Sequence, residues 1–137
     1  MKKIAVVYWS GTGNTQAMAE AIAAAAQADL FEAPAFDASQ VDGYDAIAFG
    51  CPAMGAEQLE ESEFEPMFSA CLPALRGKKI ALFGSYGWGD GEWMQTWEKE
   101  CAEAGAVFAA ESLLCHEAPD GEALDSCKAL GRALAEA

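Results

Sequence analysis

Five short apolar runs, at residues 4–9, 30–33, 46–51, 80–85 and 107–114, alternate with segments whose apolar residues recur at helical spacing. This alternation constrains the chain more than any other feature. Strands apolar on both faces must be covered on both faces, and the crossover helices of a parallel sheet supply that cover. Met18, Ala21, Ile22, Ala25 and Ala26 form a helical stripe after the first run, and Phe64, Met67, Phe68, Cys71, Leu72 and Leu75 form another before the fourth. Pro66 suits a first helical turn and Pro73 a helix end. Trp93, Trp97 and Cys101 share a face after the fourth run, and Ala123, Cys127, Leu130 and Leu134 make the last segment amphipathic. The reading is βαβ repeated, one α/β domain over residues 1–137 without linker or internal repeat. Open parallel sheets bind ligands beyond the carboxyl ends of their strands, where strand order reverses. The loops after strands one, three and four are therefore the places to look for chemistry.

Ser10-Gly11-Thr12-Gly13-Asn14-Thr15 joins the first strand directly to a helix. Backbone amides and the positive end of the helix dipole converge there, which makes an anion site. Gly11 and Gly13 allow close approach of the backbone, and the side chains of Ser10, Thr12, Asn14 and Thr15 can each donate to phosphate oxygen. The lysine of a P-loop is missing, and Gln16 stands where a dinucleotide fingerprint needs its third glycine. With no cationic side chain nearby, the loop suits one terminal phosphate rather than a polyphosphate with magnesium. Read as a turn alone, it would have Asn14 or Thr15 as the helix N-cap.

The loop after the third strand, Cys51-Pro52-Ala53-Met54-Gly55-Ala56-Glu57, and the loop after the fourth, Ser85-Tyr86-Gly87-Trp88-Gly89-Asp90-Gly91, each set one large polarizable side chain among small residues. Met54 and Trp88 could both be core residues, with the glycines as turn formers. Placed at a sheet edge, the pair can instead sandwich a flat ring, by sulfur contact on one face and stacking on the other.

Tyr-Trp-Ser-Gly-Thr-Gly-Asn-Thr from residue 8, Gly-Cys-Pro-Ala-Met-Gly from residue 50 and Phe-Gly-Ser-Tyr-Gly-Trp-Gly-x-Gly-Glu-Trp from residue 83 resemble the three cofactor loops of short-chain flavodoxins from anaerobic bacteria. The resemblance implies a flavodoxin-like doubly wound sheet of strand order 2-1-3-4-5. It implies one non-covalent flavin mononucleotide (FMN) and one-electron carriage on the semiquinone/hydroquinone couple at low potential. By the same resemblance Met54 and Trp88 flank the flavin, and the peptide joining Gly55 to Ala56 turns on reduction to offer the Gly55 carbonyl to the ring. Trp9 either shields the phosphate, as the aromatic often found there in the family implies, or packs beside the first strand, and Ser85, Tyr86 and Gly87 supply ribityl contacts. Pro52, Ala53, Glu57, Gln58, Gly89 and Gly91 complete the cofactor-binding set, and residues 117–120 approach the ring edge. The family often has glutamate where Gln58 stands, so Gln58→Glu is expected to lower the semiquinone/hydroquinone potential by tens of millivolts, on the scale of about 59 mV per tenfold.

Twenty-two acidic side chains against eight basic ones give a net charge of -14, which repels nucleic acid and anionic lipid alike. Lys2, Lys3, Arg76, Lys78 and Lys79 precede strands one and four, whereas Glu57, Glu60, Glu61, Glu63 and Glu65 follow the third. The acidic edge is the flavin edge, so the expected partner is a redox protein with a basic surface. Cys51, Cys71, Cys101, Cys115 and Cys127 form no C-x-x-C pair and fit buried thiols in a reducing cytoplasm. A monomer without metal, membrane span or targeting segment is expected. His116, the single histidine, has no Cys or His partner at ligand spacing and takes no role. A receiver domain would need acidic residues where Trp9-Ser10 and Cys51-Pro52 stand, and Cys51 lacks the arginine of a C-x5-R phosphatase. A small quinone or flavin reductase, or a flavin-storage protein, is the alternative to the carrier.

Overall fold

The computed structural model describes residues 2–54, 58–87 and 89–137. Its strands β1 (Ile4–Tyr8), β2 (Asp29–Glu32), β3 (Ala46–Gly50) and β4 (Lys79–Tyr86) lie in the order β2-β1-β3-β4, all parallel. The fifth position of the expected order is shared by two strands, β5 (Val107–Phe108) and β6 (Leu113–His116), both paired in parallel with β4. Ile80 pairs with Phe108, but Phe83 pairs with Leu113, so two extra residues bulge out between them. The single strand expected over 107–114 is thus broken in the middle, and β6 runs on to His116 at the sheet's carboxyl edge.

Side chains alternate between the two faces of each strand. Ile4, Val6, Tyr8, Ala46, Ala48, Ala81 and Phe83 meet α1 (Asn14–Ala26) and α4 (Gly121–Glu136) through Met18, Ile22, Cys127, Leu130 and Leu134. Ala5, Val7, Ile47, Phe49, Ile80 and Leu82 meet α2 (Phe64–Cys71) and α3 (Glu92–Glu103) on the other side. Most residues read as helical stripes are buried, whereas Ala21, Ala25, Leu72 and Ala123 are only partly so and Ala19 and Ala23 are buried in α1 in addition; Phe64 and Phe68 stack at 6.0 Å, and Trp97 packs edge-on against both. Pro66 does stand in the first turn of α2, and Pro73 in the 3-10 turn Leu72–Leu75 that ends it.

One crossover departs from βαβ. Between β2 and β3 the chain makes two 3-10 turns, Ala33–Ala35 and Ala38–Gly43, in place of an α-helix. Asp37 and Gln40 cap the second turn reciprocally: Ser39 N donates to Asp37 Oδ1 at 2.9 Å, and Asp37 N donates to Gln40 Oε1 at 2.9 Å. Phe36, Val41 and Tyr44 are buried from this short connection and close the core beside β2.

Candidate cofactor site at the carboxyl edge of the sheet

The carboxyl ends of β1, β3 and β4 are drawn together by main-chain bonds beyond the strands: Trp9 N donates to Gly50 O at 3.0 Å, Cys51 N to Phe83 O at 3.1 Å and Ala53 N to Ser85 O at 3.0 Å. The approach is close at Gly84, where a Cβ would lie 2.2 Å from the Cys51 carbonyl oxygen. Only glycine admits this packing.

The first loop bends at Gly13, whose φ of 96° suits glycine and which caps α1 without a side-chain bond. The cap is therefore neither Asn14 nor Thr15. Ser10 Oγ instead accepts from Gly13 N at 3.1 Å and Gln16 N at 3.2 Å and so shapes the loop from inside. Among the described residues no acceptor meets the amides of Thr12, Asn14 or Thr15. An open helix N-terminus with unspent N–H groups and no cation has the chemistry to suit one anion. The Thr15 hydroxyl is buried and shares a 2.8 Å hydrogen bond with Ser85 Oγ, tying α1 to β4.

Met54 and Gln58 form an antiparallel pair, N–H to O at 2.9 Å and 3.0 Å, that closes the base of the second loop. Below it Cys51 Sγ accepts from Glu60 N at 3.4 Å. Burial pushes the Cys51 thiol up to about 12, so it is a packing group and not a thiolate. Glu60 is likewise buried. Burial raises its carboxyl, but bonds from the Ser62 hydroxyl and from the amides of Phe64, Glu63 and Ser62 outweigh that and bring it down to about 2. Glu60 thus anchors the start of α2 and is not part of the exposed acidic edge. Glu63 Oε1 accepts from the Trp9 indole at 2.9 Å.

A cavity of about 360 Å³ opens between these loops, and its wall contains Trp9, Gly11, Thr12, Asn14, Pro52, Ala53, Met54, Ser85, Tyr86 and Gly87. All three sequence motifs therefore reach one hollow. Ser10, Gly13 and Thr15 stand behind the wall as its internal supports. Gln58 faces elsewhere: its amide donates to Glu61, and it lines a second cavity beside α3. Gly89 and Gly91 have φ of 87° and 92°, and Gly91 caps α3. Gly55, Ala56, Glu57 and Trp88 lie outside the described residues.

Glu117, from the segment expected near the ring edge, does line the cavity. It holds a left-handed backbone, φ 62°, fixed by donation from its N–H to Tyr86 O at 2.8 Å. His116 was given no role, yet its Nε2 lies 3.3 Å from the Gly87 carbonyl oxygen and its ring centroid 5.1 Å from that of Tyr86. The available signal was its position at the carboxyl end of the last strand, on the ligand edge. Among the described residues no cluster of His, Cys, Asp and Glu could hold a metal ion.

Residues 6–131 match the flavodoxin family. The chain is 48% identical to the flavodoxin of Megasphaera elsdenii, covering 98% of this chain and 99% of that one, and 43% identical to the flavodoxin of Clostridium beijerinckii, covering 95% and 97%. The solution structure of two-electron reduced Megasphaera elsdenii flavodoxin superposes with a TM-score of 0.88 at 44% identity, over 98% of this chain and 99% of that chain. A flavodoxin from the domain Archaea superposes at 0.87 with 30% identity, over 98% and 96%.

The chain belongs to the flavodoxin family. As a flavodoxin it binds FMN and carries electrons between redox partners, and it is not an enzyme with a substrate of its own. The geometry fits that cofactor: unspent helix-terminal amides suit a phosphate, and a hollow walled by the side chains of Trp9, Pro52, Ala53, Met54 and Tyr86 suits a flat ring. Among the described residues no helix is long and apolar enough to cross a membrane.

Proposed function

We propose that this flavodoxin works at low potential between the one- and two-electron reduced states of its FMN, as a monomeric domain over residues 1–137 in the reducing cytoplasm, and exchanges electrons with basic-surfaced proteins. The phosphate is held by the amides of Thr12, Asn14 and Thr15 and by the Thr12 hydroxyl and the Asn14 amide side chain, and Trp9 shields it from water. Met54 and Trp88 would hold the ring, Ser85, Tyr86 and Gly87 would supply ribityl contacts, and Pro52 and Ala53 would complete the lining. By the family resemblance, Gly55 would offer its main-chain carbonyl to the bound ring. FMN supplies the redox chemistry, and the chain's own residues bind, orient and desolvate it.

The observation that carries this reading is the joining of an uncharged anion site to an apolar hollow in one 360 Å³ cavity. Among the described residues no lysine or arginine lines it. Negative charge added to the ring therefore meets no compensating cation, and the net charge of -14 opposes it further, which drives the last reduction to low potential. Buried thiols with pKa values raised to between about 11 and 12 at Cys51, Cys71, Cys101 and Cys127 support a chain with no sulfur chemistry of its own. Anaerobic stepwise reduction of the FMN-loaded protein tests the proposal. Two resolved one-electron steps, the second well below the first, with no NADPH consumption by the protein alone, are expected. A single two-electron step, or rapid turnover of NADPH, would overturn it.

A further inference from the structure

We propose that Glu63 is a positioning residue for FMN binding, which holds the Trp9 indole as a fixed screen beside the phosphate loop. The inference rests on the reading above that Trp9 shields the phosphate, and adds the group that keeps it in place. Trp9 follows β1 directly and is partly exposed. Its six-membered ring lies against Gly11, where a Cβ would come within 3.2 Å and 3.3 Å of two ring carbons. Among the described residues Trp9 alone lines both the cofactor cavity and a neighbouring polar cavity of about 310 Å³, whose wall also contains Tyr8, Ser10, Glu32 and Glu63. The indole is the partition between the two, and its orientation decides whether water in the polar cavity reaches the phosphate loop.

Glu63 stands at the N-cap of α2, where free amides and the helix dipole attract a carboxylate. Its side chain makes no capping bond there. Glu60 takes that part instead, accepting from the amides of Glu63 and Phe64 at 2.7 Å and 2.8 Å. The Glu63 backbone is fixed by this, and its carboxylate is left to reach across 54 positions of sequence to Trp9 Nε1 at 2.9 Å. That bond engages the one polar atom of the indole and so gives the ring a preferred orientation before FMN arrives. A wall ordered in advance loses no freedom on binding. Charge alone would give Glu63 the opposite effect, since a carboxylate beside the cavity repels a phosphate dianion. Any help it lends to FMN must therefore pass through the indole.

The test is fluorescence titration with FMN and with riboflavin of wild type, Glu63→Ala, Glu63→Gln, Trp9→Phe, Trp9→Ala and the double variant Glu63→Ala/Trp9→Phe. Glu63→Ala removes acceptor and charge together and should weaken FMN by on the order of fivefold, the worth of one hydrogen bond. Riboflavin, which has no phosphate, should change by less than about twofold. Glu63→Gln keeps an acceptor oxygen without the charge and should bind FMN at least as tightly as wild type. Trp9→Phe keeps a ring but has no N–H, so adding Glu63→Ala to it should tighten FMN binding, because only repulsion is then removed. The Trp9 indole N–H resonance, recorded before FMN is added, should move upfield in Glu63→Ala and stay near its wild-type position in Glu63→Gln. Tighter FMN binding by both Glu63→Ala and Glu63→Gln would overturn the positioning role while leaving the shielding reading intact. Equal loss of FMN and riboflavin in Glu63→Ala, or unchanged FMN affinity in Trp9→Ala, would overturn that reading and the positioning role with it.

Discussion

Glu60 shows how a residue can carry the sign of one role and perform another. In the sequence it is one of several acids after β3, yet the structure buries it and gives its two oxygens bonds from the amides of Ser62, Glu63 and Phe64 at 2.8 Å, 2.7 Å and 2.8 Å. Hydrogen bonds to a buried charge are worth more than neutral ones. Glu60→Gln keeps the shape but exchanges one acceptor oxygen for a donor facing N–H groups, and should cost about 2 kcal/mol in urea unfolding at pH 7. The folded carboxyl titrates near 2 against an ordinary 4.5, so the native state holds the proton less tightly than the unfolded chain. Its stabilisation is complete above the unfolded value and fades as pH falls from about 4.5 towards 2. The gap between wild type and Glu60→Gln should therefore narrow at pH 3, and a gap that widened there would contradict the hydrogen-bond account.

At the level of elements, most of the frame was legible because period and chemistry agreed. Residues such as Ile47 and Phe49 show a fully buried strand by being apolar in succession, and Trp93, Trp97 and Cys101 show a helix face by their spacing. The break between β5 and β6 had a signal that the single-strand reading passed over, since Glu111 and Ser112 interrupt the apolar run just before β6 begins. The missing helix before β3 was not legible: there Asp37 and Gln40 stabilise a turn that competes with a helix locally. Within the site, the glycines and hydroxyls marked the right loops but could not reveal which groups face inward: Thr12 lines the hollow, whereas Thr15 is consumed by Ser85. Gln58, expected at the ring, has its side-chain amide turned to Glu61 and the cavity beside α3. The junction of β3 and β4 at Gly84 yields a direct test. Gly84→Ala would set a Cβ 2.2 Å from the Cys51 carbonyl oxygen and 3.1 Å from the Trp93 ring. Neither neighbour is a flexible chain end, so the loop bearing Pro52, Ala53 and Met54 must move. A loss of roughly 3 kcal/mol in stability is expected, together with weaker FMN binding by fluorescence titration. Unchanged affinity would show that the loop need not lie against β4.

Over the whole molecule the charge is lopsided. Lys79 begins β4 and Lys3 immediately precedes β1, at the amino edge of the sheet, while Glu61, Glu63 and Glu65 stand beyond β3 on the cofactor side. The phosphate site has only neutral dipoles to offer within this field. Its attraction for phosphate acts over contact distance and is little affected by salt, whereas repulsion between a dianion and a protein of charge -14 is long-ranged and screened within about 8 Å at 0.15 M ionic strength. Salt should therefore strengthen FMN binding, the reverse of a phosphate site built on lysine and arginine. Riboflavin, which has the same ring and no phosphate, serves as the control. Fluorescence quenching titrations between 10 mM and 500 mM potassium chloride are expected to show FMN affinity rising by on the order of tenfold, against a change of less than about twofold for riboflavin. Weakening of FMN by salt would mean that a cationic side chain reaches the phosphate after all. Equal strengthening of both ligands would mean that salt acts on the apolar hollow and not on the anion site.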